Sequence, residues 1–155
     1  MTVSVEVETR IGRPPVDVFA ALADVERWPA WLIASGITRV ESIDAAPLAT
    51  GSRLRVSQTV AGRSTVLDGA VTVLAPGAAF GLRGRDKDGV TIEIDAVLAA
   101  DAPAGADPAT RLRWSLRVGL PLRYRMFESM VAPQARRAAA LDLEAFRLRL
   151  ERPTP

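Results

Sequence analysis

Residues 121–151 constrain this chain most, because they read as one long helix and nothing upstream carries helical periodicity of comparable length. Apolar or small side chains recur at Phe127, Met130, Val131, Ala138, Leu141, Ala145 and Leu148. At about 100° per residue they share one sector, the spacing of a helix face that packs on something. Gln134 stands in the middle of that stripe. A helix of this length spans about 45 Å, enough to cross a small domain. A second apolar set, Ala139, Leu143, Phe146 and Leu150, lies nearly opposite Leu141, Ala145 and Leu148, so the helix needs two partners. Pro133 removes one backbone hydrogen bond and predicts a kink near the middle. The expected division of labour follows. Residues 124–134 roof whatever lies beneath, and residues 138–150 anchor the fold.

Upstream, the pattern is that of strands. Thr2–Ile11 alternates Val3, Val5 and Val7 against Ser4, Glu6 and Glu8, as a half-buried strand does. Gly12-Arg13-Pro14-Pro15 ends it and opens a helix, since proline suits a first helical turn and Asp17 suits the positive end of the dipole. Val18, Phe19 and Leu22 supply the apolar face. Pro29 pushes Trp28 out of helical geometry and is expected to start a second short helix, running over residues 29–35 and capped by Gly36. Trp28 and Trp31 form an apolar wedge. The pair reads as packing, with Trp31 also a candidate to reach a ligand chamber.

Six strand-like segments follow, at 37–43, 52–60, 64–74, 80–85, 90–99 and 111–118. Ala61-Gly62-Arg63 and Pro76-Gly77 read as links between them, and Asp88-Gly89 as a tight hairpin turn in which both central positions favour positive φ. That makes Asp86 and Asp88 turn residues rather than metal ligands. Residues 101–110, rich in alanine and proline, predict a mobile connection. Short links and one polar face per strand predict an antiparallel meander. Arginines alternate with the apolar residues and are expected to coat the outer surface of the sheet.

At 155 residues the chain fits one domain. It has no cysteine and no histidine, which excludes disulfides, thiol nucleophiles, imidazole metal sites and Ser-His-Asp triads. No carboxylates have the spacing of a calcium loop, so neither a metal nor another cofactor is expected. Lys87 is the one lysine among 20 cationic residues, and the net charge is +2. Nucleic acid is therefore not an expected partner. No apolar run approaches the roughly twenty residues that span a bilayer, and the chain begins directly on a strand. A cytoplasmic protein with no integral membrane association is expected.

The order strand, two helices, six strands, long helix resembles the helix-grip fold of the SRPBCC superfamily. That group includes START-type lipid-binding domains, birch-pollen-allergen-like proteins and polyketide cyclase/dehydrase-like proteins. The resemblance is carried by Gly12-Arg13-Pro14-Pro15-Val16-Asp17-Val18-Phe19 and by Asp24-Val25-Glu26-Arg27-Trp28-Pro29-Ala30-Trp31. Gly51 before Arg53-Leu54-Arg55 also carries it, as does the closing Leu143-Glu144-Ala145-Phe146-Arg147-Leu148-Arg149-Leu150-Glu151. It implies one α+β domain over residues 1–155, in which a seven-stranded curved antiparallel sheet wraps a long C-terminal helix. Two short helices would lie between the first and second strands.

The resemblance also implies a ligand cavity between sheet and helix. Its expected lining is Trp31 from the wedge, and Leu54, Val56, Gln58, Leu82, Ile92, Ile94, Trp114 and Leu116 from the sheet. Tyr124, Phe127, Met130, Val131 and Gln134 would come from the helix. Gln58 and Gln134 are informative, because a buried amide without partners costs about 1–3 kcal/mol. Two of them on apolar faces point to water or a polar ligand group between sheet and helix.

The expected function is binding of a small hydrophobic or amphipathic ligand such as a lipid, isoprenoid or polyketide-like compound, by a monomer or homodimer. An alternative is an aromatase/cyclase-type enzyme, with Tyr124, the only tyrosine, and Arg125 or Arg123 as candidates to steer protons. The sequence offers no clear catalytic pair for it. A third reading, a protein-interaction module, rests on the exposed arginines alone.

Overall fold

Alternating strands joined by tight turns have one economical arrangement, each strand beside the one before it, and the computed structural model adopts it over the residues it describes, 2–152. The strands are β1 (Thr2–Ile11), β2 (Ile37–Ser42), β3 (Arg53–Val60), β4 (Arg63–Ala75), β5 (Ala79–Arg85), β6 (Thr91–Ala100) and β7 (Thr110–Gly119). They form one antiparallel sheet in the order β1-β7-β6-β5-β4-β3-β2, so the first strand closes onto the last. Helix α1 (Pro15–Ala23) and a 3₁₀ turn (Val25–Ala30) join β1 to β2. A second 3₁₀ turn (Leu122–Phe127) leads into helix α2 (Glu128–Glu151). This is the curved sheet and long closing helix of the helix-grip architecture. The sheet shifts register once between β2 and β3 and once between β4 and β5.

Three local expectations are corrected. The second short helix covers Val25–Ala30 rather than 29–35, and Pro29 lies inside it. The buried indole of Trp28 dictates this, since its Nε1 donates to Leu22 O at 2.8 Å and ties the turn directly to α1. Around Asp88-Gly89 only Gly89 has positive φ, and the loop is held instead by Asp86, whose Oδ1 accepts the N–H groups of Asp88 and Val90 at 2.9 Å. The two-residue turn with both φ positive is Ala61-Gly62, at 51° and 77°.

The third correction concerns α2. The stripe that begins at Phe127 is not the fully buried one: Phe127, Met130, Leu141 and Leu148 are 47%, 56%, 58% and 51% exposed, while Val131, Ala138 and Ala145 are half-buried. The buried face is Ala139, Asp142, Leu143 and Phe146. Both sets are apolar, and the choice is made by what the helix meets. Its C-terminal half lies along β1 and against the tryptophan wedge. Phe146 stacks at 4.4 Å between centroids on Trp31, which sits 6.2 Å from Trp28 and 5.8 Å from Trp114. Trp28 in turn meets Phe80 edge-on at 5.6 Å. Such edge-to-face contacts add about 0.5–1.5 kcal/mol each beyond burial.

The far end of α2 is tied to the turn after β1. Gly12 N–H donates to Glu151 Oε1 at 2.8 Å, and Arg13 Nη1 donates to Leu150 O at 3.2 Å. A guanidinium on the last helical carbonyls meets both their hydrogen-bonding need and the negative end of the dipole. Arg13 is itself held by Asp17 at 2.9 Å, and its carbonyl accepts the buried Thr110 hydroxyl at 2.7 Å.

The arginines do coat the outer face, but in company. Arg83, Glu93 and Arg117 lie directly opposite one another on β5, β6 and β7 and pair across them. Arg55 pairs with Asp68 and Arg53 with Asp44. Exposed pairs of this kind stabilise by about 0–1 kcal/mol each, so their main effect is on solubility and strand register.

Candidate functional site

Period two puts every second side chain of a strand on the inner face, and here the helix does not cover all of them. Between the inner face and α2 lies a cavity of about 560 Å³. That falls within the roughly 300–1,000 Å³ of ordinary small-molecule sites. The floor consists of Val56 and Gln58 on β3, Leu82 on β5, Ile92 and Ile94 on β6, and Trp114 and Leu116 on β7. Ile92, Ile94 and Leu116 are only half-buried, so they present apolar surface to the cavity.

Two glycines, Gly69 and Gly84, face each other across β4 and β5 within this floor. A Cβ on Gly69 would stand 2.7 Å from Arg83 O, so the close approach of the two backbones requires glycine there. The roof is the α2 segment carrying Val131, Gln134, Ala135, Arg137, Ala138 and Leu141. Its alanines let the helix come near without filling the space. Exposed lining residues Ala34, Val60, Gln134, Arg137 and Leu141 mark where the cavity opens.

Among the residues expected from sequence, the structure brings Val56, Gln58, Leu82, Ile92, Ile94, Trp114, Leu116, Val131 and Gln134 together on this lining. Trp31 and Leu54 are buried in the core instead. Phe127 and Met130 project to the outside, and Tyr124 also lies off the lining. The roof is therefore the middle of α2, residues 131–141, rather than residues 124–134. Gln134 is exposed at the mouth and not buried. Gln58 finds its partner within the protein, donating through Nε2 to Ser35 O at 2.8 Å.

Tyr124 belongs to an exposed cluster at the loop tips. Its hydroxyl lies 3.5 Å from Arg63 Nη2, and the Arg123 guanidinium sits over its ring at 5.0 Å. Hydrogen bonding to Arg123, then to Arg63, holds the phenol below its ordinary value. Arg63 and Arg123 both also bond to Asp88. Arg125 is exposed and takes no part in this cluster. No group of three or more potential metal ligands occurs among the described residues.

One residue escapes a reading of the sequence altogether. Asp142 is 2% exposed within the apolar face of α2, and its two oxygens accept the N–H groups of Ala34 at 2.7 Å and Ser35 at 2.9 Å. With Gln58 on Ser35 O, it fixes the loop that forms one lip of the cavity. The signal was present, an acidic residue between Ala139 and Phe146 on one helix face, where a charge is tolerated only with partners.

Burial raises the Asp142 carboxyl above its ordinary value of 3.8, while the bonds to Ser35 and Ala34 oppose the rise. The folded state then holds the proton more tightly than the unfolded one. The associated stability is complete below the unfolded value and is lost as pH rises through the raised folded value. Asp142→Asn should remove that slope, so wild type should lose stability relative to the variant as pH rises from about 4. Parallel urea midpoints across this range would refute the assignment. Asp142→Ala, which strips two N–H groups of their acceptor, should cost about 2 kcal/mol at low pH and less as pH rises, because it too lacks the titrating carboxyl.

Comparison with known proteins agrees with this geometry. The Zhui aromatase/cyclase from Streptomyces sp. R1128 superposes with a TM-score of 0.76 at 16% identity, covering 98% of this chain and 95% of that one. A START superfamily protein from Mycobacterium smegmatis gives 0.73 at 19% identity, covering 96% and 97%. A protein from Thermus thermophilus, TTHA0849, gives 0.75 at 15% identity, covering 95% and 96%. At such identities these likenesses establish the fold. No functionally curated protein matches the sequence. No helix among the described residues is long and apolar enough to cross a membrane. Residues 2–151 match the family described as polyketide cyclase/dehydrase and lipid transport, and the chain belongs to that family.

Proposed function

We propose that this protein binds a small hydrophobic or amphipathic molecule, of lipid, isoprenoid or polyketide-like character, in the cavity between sheet and α2. The observation that carries the proposal is the uncovered apolar floor, in which Ile92, Ile94 and Leu116 keep accessible surface inside the fold. Exposing apolar surface costs about 25 cal/mol per Å², and a ligand of matching shape recovers it. Binding is favoured over turnover by the chemistry of the lining. Among the described residues there, Arg137 is the one ionisable group, so no acid and base face each other across a bound molecule.

The test is titration with the neutral fluorophore N-phenyl-1-naphthylamine, followed by displacement with unlabelled apolar compounds. Saturable binding is expected in wild type. Ile94→Trp, which puts an indole into the cavity, should weaken it roughly tenfold, equivalent to about 1.4 kcal/mol. Absence of saturable binding in wild type, or equal binding by a folded Ile94→Trp variant, would overturn the proposal.

A further inference from the structure

We infer that Arg137 is an anion-recognising residue at the cavity mouth, and that the bound molecule is an amphiphile with an apolar body and a carboxylate or phosphate head. The inference rests on the proposed ligand cavity and adds the chemistry of its polar end. Positions 134, 137, 138 and 141 recur at the spacing of one helix face, so Gln134, Arg137, Ala138 and Leu141 form a single strip of the roof. Gln134, Arg137 and Leu141 on that strip are exposed, which puts the guanidinium where cavity and solvent meet.

Two other arginines of α2 are engaged. Arg136 donates to Glu6 O at 3.3 Å, and Arg147 pairs with Glu144 and Glu151. Arg137 has neither an ion pair nor a hydrogen-bond partner among the described residues, so its five N–H donors are available. Asp142, the acidic group one turn further along, has both oxygens committed to Ala34 and Ser35 and lies on the buried face. It does not compete for the guanidinium.

An arginine in this position discriminates by geometry. Its planar fork matches a carboxylate or phosphate, its aliphatic stem covers apolar surface, and its head stays hydrated. A ligand would seat its apolar body on Leu82, Ile94 and Leu116 and leave its charged end at the mouth. Gln134, one turn before Arg137, would supply a further donor. A neutral molecule of the same length would gain the apolar contacts alone.

The experiment compares three probes of equal chain length as displacers of N-phenyl-1-naphthylamine: dodecanoic acid, dodecyl phosphate and methyl dodecanoate. Wild type and Arg137→Gln are measured at low and moderate salt, below the micellar limits. Wild type should prefer one or both anions over the ester by about five- to tenfold, since a partly exposed charge-assisted pair is screened by water. Arg137→Gln should bring anions and ester to the same affinity. The relative strength of acid and phosphate then identifies the head group. If wild type shows no preference, or Arg137→Gln keeps it, the inference is overturned while the cavity proposal stands. If none of the three displaces the probe and no probe binds, the cavity proposal itself has failed.

Discussion

Replacing Phe146 by alanine should lower the unfolding free energy by about 3–5 kcal/mol, the range for deleting a buried aromatic ring. The ring is 1% exposed and is the contact through which α2 meets the tryptophan cluster. Its loss would leave a void beside Trp31, whose other neighbours Trp28 and Trp114 are fixed by their own strands and turns. The surroundings cannot collapse into that void without moving the sheet, which places the cost toward the upper end. Urea unfolding monitored by tryptophan fluorescence reports directly on the cluster, with an unchanged denaturant slope confirming a comparable transition. A loss under about 1.5 kcal/mol, the size of a conservative core change, would mean the helix is held elsewhere.

The second large effect is expected at Gly36→Ala, about 3 kcal/mol. Gly36 has φ of +76° where the 3₁₀ turn's exit meets β2, and its carbonyl accepts Thr59 N–H at 2.8 Å. A Cβ there would stand 2.0 Å from Thr59 O, an overlap that only backbone movement relieves. Gly77, at φ +73° with open space around it, is the internal control. Its alanine variant suffers only the left-handed backbone penalty of about 1 kcal/mol. Thermal unfolding of the two variants separates dihedral strain from steric exclusion, and equal losses would show that the contact with Thr59 is irrelevant.

The strands were legible because alternation is local information. Val3, Val5 and Val7 declare a buried face wherever the strand is placed, and the same rule puts Val56, Leu82, Ile94 and Leu116 on one side of the sheet. The helix was legible in extent and in having two apolar faces, but not in which of them is fully buried. With apolar side chains on both Leu141 and Phe146, only the position of the tryptophan wedge decides which goes inside, and that position is a tertiary fact. The same gap explains why residues 124–134 were expected to form the roof. The sequence does not record how far along the sheet the helix begins to cover it. Asp142 was missed for another reason: its partners are the backbone N–H groups of Ala34 and Ser35, and backbone groups leave no mark in composition. At Pro29 the proline signal was real but did not mark the helix start, since a buried indole hydrogen bond outweighs a proline's preference for the first turn.

The glycine pair in the cavity floor has a consequence for how such a chain can change over generations. A side chain at Gly69 collides with Arg83 O, so that position is closed to substitution. At Gly84 the first added carbon would meet Leu67 Cβ at 3.5 Å, an ordinary contact, and its φ is not in the left-handed region. One position on the floor is therefore frozen by its backbone while its neighbour across the ladder is free to vary. A single base change at the second, glycine to alanine, adds a methyl group to the cavity floor at ordinary contact distance from its neighbours. Preference for ligand size is thus adjustable independently of the capacity to fold.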